Sequence, residues 1–174
     1  KNNIEEIQKI LDSIFPEHTI KPIKGSKFGY NIISNSRKNS PKNNKVLNWL
    51  REIKEYGKLS KHKRIPDCIK KSPKEEISLF LNRLFSCDGF ISIDKSRKHH
   101  KIGKTSICIT LASKLFIEDI QRELLKFGII SNINFRKVKF NGKLFDAWNL
   151  SIIQKSSVIK FCDEINIFNK EEKV

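Results

Sequence analysis

Two groups of residues carry the clearest chemical potential: a carboxylate at a helix end, and amides with a guanidinium on one strand face. Ser72-Pro73-Lys74-Glu75 opens a helix, with Ser as N-cap, Pro in the first turn and Glu three residues after the cap. Ile77, Phe80, Leu81, Leu84 and Phe85 form its apolar stripe. Cys87-Asp88-Gly89 stops it, with Gly89 available for a left-handed cap. Asp88 then faces the negative end of the helix dipole and its unpaired carbonyls. That is unfavourable unless a cation sits there. The plainer reading is an Asp that favours a turn before Gly. In the strand-like run Ile129–Lys139, Asn132, Asn134 and Arg136 share one face while Ile133 and Phe135 share the other.

The whole chain is basic. Its 174 residues hold 35 Lys+Arg against 19 Asp+Glu, a formal net charge of +16. The basic residues are spread among Phe, Tyr and Trp instead of being gathered on one amphipathic helix, which favours an extended nucleic-acid surface over an anionic membrane. Asn and Arg are the residue types that make bidentate contacts to adenine and guanine edges. Lys137 and Lys139 continue the same run, and an earlier hairpin offers Lys21, Lys27 and Tyr30. The loop Lys95–Lys101, with Arg97, Lys98, His99 and His100, suits phosphate contact. Each residue alone could belong to a solvated strand face. As a set they read as a basic two-hairpin nucleic-acid-binding saddle suited to a major groove.

Other classes fit poorly. No run approaches the ~20 apolar residues of a membrane span, and no signal peptide opens the chain. Cys68, Cys87, Cys108 and Cys162 lack the close spacing of a zinc knuckle, and three occupy apolar-periodic positions. The expectation is no zinc, no disulfide and an intracellular setting.

Positioning comes from an internal repeat. Ile4-Glu5-Glu6-Ile7-Gln8-Lys9-Ile10-Leu11 recurs as Ile117-Glu118-Asp119-Ile120-Gln121-Arg122-Glu123-Leu124. Each copy continues into two strands, joined across Gly25 in the first and Asn141-Gly142 in the second. The closing strands share Tyr30-Asn31-Ile32 and Trp148-Asn149-Leu150, and a helix at Val46–Ile53 matches one at Val158–Ile165. Only the second copy carries the Asp88 helix and a further hairpin, Phe90–Asp94 with Thr105–Leu111. A full unit is therefore αββαββα, and the first copy starts at its middle helix. The expected organisation is 1–58 as the end of a first half, 59–72 as linker, 73–170 as a complete second half and 171–174 as tail. The truncated repeat and the absence of Met predict the C-terminal portion of a longer two-unit protein.

Phe80-Leu81-Asn82-Arg83-Leu84-Phe85-Ser86-Cys87-Asp88-Gly89-Phe90-Ile91 resembles a LAGLIDADG motif, in the Phe-Leu-x-x-Leu-Phe-x-x-Asp-Gly form of intein endonucleases. Lys63-Arg64-Ile65-Pro66-Asp67 resembles the Lys-x-Ile-Pro segment ahead of their second motif. Ala112-Ser113-Lys114 with Leu124–Ile129 resembles their middle helix. The resemblance covers nearly the whole chain and is greatest to inteins of replicative DNA helicases. It implies an α+β LAGLIDADG homing-endonuclease fold, the αββαββα unit duplicated with pseudo-two-fold symmetry and its first copy truncated. It also implies a site-specific double-strand DNA endonuclease in which two motif helices bring their carboxylates together over the DNA and bind a divalent metal, Mg2+. Asp88 then matches the metal-binding carboxylate and Gly89 the accessory backbone oxygen. Lys63 matches an active-site lysine whose counterpart falls near Lys170 or Lys173.

Four departures from the family's pattern stand out. Arg83 stands where a small residue usually seals the helix–helix seam, and Ser86 stands where Asp is common. The first motif is absent, so its carboxylate must come from a missing first half or a second copy. Intein splicing residues are also absent: there is no N-terminal Cys or Ser and no terminal His-Asn. The competing readings are a non-catalytic nucleic-acid binder, such as an RNA maturase or regulator, and a structural RNA-binding protein, which explains the charge but not the repeat.

Overall fold

The computed structural model describes residues 2–27, 29–35, 44–94 and 104–167. The chain forms two compact units, Lys1–Tyr56 and Gly57–Val174. Both are α+β with antiparallel sheets.

The first unit runs α1 (Asn2–Ile14), β1 (His18–Pro22), β2 (Tyr30–Ser34) and α2 (Lys45–Glu52). β1 and β2 pair so that Lys21 faces Asn31 and Ile20 faces Ile32. The side-chain oxygen of Asn44 caps α2 by accepting from the Leu47 N–H at 3.0 Å. It also lies 3.1 Å from Nε2 of the buried His18, tying helix to hairpin. Little else is sealed: Ile7 is 44% exposed, although Ile120, its repeat counterpart, is fully buried.

The second unit opens with a 3-10 turn (Ser60–His62) and continues with α3 (Asp67–Lys70), α4 (Lys74–Asp88), β3 (Gly89–Asp94), β4 (Lys104–Leu111), α5 (Lys114–Leu125), β5 (Asn132–Phe140), β6 (Lys143–Ile152) and α6 (Lys155–Glu164). From α4 onward this is the complete αββαββα order, and the first unit repeats its last four elements. The sheet order is β3-β4-β6-β5. One sheet face presents Ile107, Ile109, Leu150 and Ile152 to Ile77, Leu81 and Phe85 of α4, to Ile117, Ile120 and Leu124 of α5, and to Phe161 of α6. The i, i+4, i+8 spacing on α4 puts its three buried residues on one line, as the 3.6-residue period requires. Phe85 meets Phe161 edge-on at 4.9 Å between centroids.

Local details depart from the sequence expectations. Ser72 does not cap α4; its hydroxyl donates to the Cys68 carbonyl at 3.1 Å, and Pro73 takes the cap position. Gly89 is not left-handed. It is extended (φ −80°, ψ 156°) and passes straight into β3. Glycine is needed there for space, because a Cβ would lie 2.5 Å from the Phe85 carbonyl oxygen. Cys87 is exposed at the end of α4, whereas Cys108 is buried and Cys162 packs on the core. The β5–β6 turn follows the Asn-Gly expectation, with φ of 47° at Asn141 and 75° at Gly142.

Candidate nucleic-acid interface and metal site

Among the described residues of the second unit, α4, α5 and α6 pack on one face of the four-stranded sheet, and its other face presents mostly polar residues. The register Asn134↔Asn149↔Thr110 makes a polar row across three strands, flanked by Asn132↔Ser151↔Cys108. Thr110 Oγ1 donates to Asn149 Oδ1 at 2.8 Å. Asn132, Asn134 and Arg136 are all exposed on this face, as strand alternation requires. Asn149 and Thr110 join them although the sequence reading passed over both. A signal was available: a two-residue Asn-Gly turn fixes the hairpin register and so sets Asn149 opposite Asn134.

Lys137 and Lys139 point to the opposite face, with Ile133 and Phe135. Lys137 Nζ forms an exposed ion pair with Asp146 at 2.7 Å. In the first unit, Lys21 and Asn31 form a pair in the place that Asn134 and Asn149 take in the second. Tyr30 lies on the other side of that hairpin, with Ile20 and Ile32, matching Trp148; Lys27 lies in the connecting loop. Arg97, Lys98, His99 and His100, and the lysines 170 and 173, lie outside the described residues.

Asp88 is the last residue of α4 and is exposed. With no linker between α4 and β3, it stands where the helix runs into the sheet. No basic residue occupies the last turn of α4, so its own helix offers no compensating cation. The carboxylate is a hard oxygen donor of the kind Mg2+ takes. Among the described residues, no group of three or more His, Cys, Asp or Glu could hold a metal ion. Asp88 by itself offers such a cation one carboxylate.

Lys63 is exposed, but its backbone is held firmly. Ser113, the N-cap of α5, accepts from the Phe116 N–H at 3.1 Å and donates its hydroxyl to the Lys63 carbonyl at 2.7 Å. One residue on, Arg64 forks onto the buried carboxylate of Asp119 at 2.7 and 3.0 Å, and the Ile65 N–H reaches the same group at 3.3 Å. Lys70 and Arg122 also contact Asp119, at 3.2 and 2.9 Å. Burial opposes ionisation of Asp119, but the hydrogen bonds from Arg64 and Lys70 outweigh it and hold the carboxyl below its ordinary range. Arg64 is raised in turn by its bond to Asp119. Nothing in the sequence marked these clamps, because a carboxylate beside an apolar helical stripe ordinarily faces water.

No helix among the described residues is long and apolar enough to cross a membrane. Similar segments occur in proteins of unrelated kinds. A replicative DNA helicase DnaB of Synechocystis is 26% identical over 99% of this chain, which spans 20% of the helicase. The replication factor C small subunit of Methanocaldococcus jannaschii is 30% identical over 92% of the chain, or 8% of that protein. A translation initiation factor IF-2 of Thermococcus kodakarensis is 36% identical over 52% of the chain, or 7% of that protein. The LAGLIDADG-like domain profile matches residues 75–166, from the first turn of α4 to just beyond α6. With the motif helix, the antiparallel sheet and this match in agreement, the chain belongs to the LAGLIDADG-like domain family.

Proposed function

We propose that the chain is the second half, with part of the first, of an intein-type homing endonuclease domain that cuts double-stranded DNA at a specific site. The observation that carries this reading is the junction of α4 and β3. An exposed Asp88, with no basic residue in the last turn of its helix, stands there beside a sheet whose open face presents Asn132, Asn134, Arg136 and Asn149. The relatives add a second argument. A helicase, a clamp-loader subunit and an initiation factor share no activity in their names, yet each carries a similar segment over a small part of its length. A mobile insertion explains that distribution, whereas a host activity does not.

In this reading the open face and the first unit's Lys21–Asn31 pair bind base edges and phosphates. Asp88, with the Gly89 backbone, holds Mg2+, and a second carboxylate comes from the missing half or from another copy. A bound magnesium ion supplies activation of water and stabilisation of the leaving oxygen. Lys63 stands ready to move a proton or neutralise charge at the phosphate, and Lys170 or Lys173 would complete a pair with it. The exposed apolar residues of α1, Ile7, Ile10 and Ile14, support the missing-half account, since Ile117, Ile120 and Leu124 of α5 are fully buried in the core of the second unit.

The second reading, binding without cleavage, draws on Arg83. Its guanidinium donates to Asn82 Oδ1 at 2.6 Å, where a small residue would let two motif helices pack closely. Joining the chain to its upstream coding segment and assaying an intein-less host site with Mg2+ separates the two. Specific double-strand cutting that Asp88→Asn abolishes supports the endonuclease. Tight specific binding without cutting supports the binder.

A further inference from the structure

β4 ends at Leu111, opposite Trp148, so beyond that pair β5 and β6 continue as a two-stranded ribbon closed by Asn141-Gly142. Alternation carries the open sheet face out along it: Arg136, Val138 and Phe140 from β5, with Ala147, Phe145 and Lys143 opposite. Phe140 is 66% exposed and Phe145 50%. Two large aromatics are thus left in water on the same face as Asn134 and Asn149, within a ribbon that bears Arg136, Lys137, Lys139 and Lys143 against the single acid Asp146.

That combination limits the occupant. Arg136 and Lys143 are the charges on this face, so a partner must offer anions at its rim and an apolar group at its floor. The DNA major groove does so: it admits a two-stranded ribbon, phosphates line its edges, and the thymine C5-methyl is the apolar group on its floor. We infer that Phe140 and Phe145 read thymine methyl groups at the outer end of the half-site. The inference rests on the nucleic-acid reading of the open face and extends it. Phe140 lies six residues along β5 from Asn134, about 20 Å at strand rise. The thymine read by Phe140 is therefore expected about six base pairs along the groove from the base that Asn134 contacts, and the one read by Phe145, which pairs with Val138, about four.

The test uses the 174-residue chain. Duplexes that bind it are selected from a randomised library. The selected duplex is then made with thymine or with deoxyuridine, which lacks only the methyl. Expected are thymine enrichment at outer positions and binding weakened about threefold to fivefold per methyl lost there. Phe140→Ser with Phe145→Ser should bind both duplexes alike, and Phe145→Leu should retain the thymine preference. Equal binding of both duplexes by the unaltered chain overturns the inference while leaving the interface intact. Self-association of the chain through Phe140 and Phe145, read by light scattering, also overturns it. Failure to select any duplex overturns the nucleic-acid reading itself.

Discussion

The hydroxyl of Ser113 donates to the backbone carbonyl of Lys63 at 2.7 Å, so the N-cap of α5 also fixes the approach of the exposed lysine. Ser113→Ala removes both bonds. A loss of about 1–2 kcal/mol in unfolding free energy is expected in urea titrations. On the proposed endonuclease reading, kcat of the reconstituted protein should fall further than DNA affinity, because Lys63 would lose its alignment rather than its charge. An equal fall in both would assign Ser113 to stability alone.

Asp119 makes a pH prediction. Its carboxyl is held low in the fold, so its contribution is fully present above the unfolded value near pH 4 and is lost as pH falls through the folded value. Asp119→Asn should cost about 2–3 kcal/mol at pH 7, a figure moderated because Arg64 is 41% exposed and keeps much of its hydration. The gap between variant and parent should close below about pH 4. Unfolding curves from pH 7 to pH 3 measure it, and a gap that widens on acidification would contradict the assigned direction.

Removing the charge at Asp88 should stabilise the metal-free fold. Asp88→Asn takes a negative charge from the negative end of α4, for a gain of about 0.3–1 kcal/mol by thermal unfolding without divalent ions. The same change should abolish magnesium-dependent cutting. A destabilised Asp88→Asn protein would mean that the carboxylate makes a structural bond.

Gly89→Ala puts a methyl 2.5 Å from the Phe85 carbonyl, a contact that only movement of the α4 terminus can relieve. A loss of about 1–3 kcal/mol is expected. Full stability in this variant would show that the helix-to-strand junction is looser than described.

The lysines of the ribbon should differ. Lys143→Ala, on the open face, should lower the slope of log affinity against log salt by about 1, as expected for one lost phosphate contact. Lys137→Ala should change it less, because Asp146 already pairs with Lys137. Asn134→Ala should instead relax base preference at one position by about 1–3 kcal/mol. Competition binding at several salt concentrations separates these outcomes.

By itself the sequence determined the repeat, the αββαββα order, the Asn141-Gly142 turn and the side of β5 that bears Asn132, Asn134 and Arg136. These follow from local periodicity and turn chemistry, which a linear pattern records directly. Only the tertiary structure decided what lies opposite what. It set Thr110 beside Asn149, put Lys21 and Tyr30 on different faces, buried Asp119 under Arg64, and gave Gly89 its reason in the Phe85 carbonyl rather than in a left-handed turn. Each of these depends on atoms brought together from distant positions, or on the path of the chain at a helix end. The physical reason is that residue type fixes what a side chain can do, whereas its partners and its burial are properties of packing.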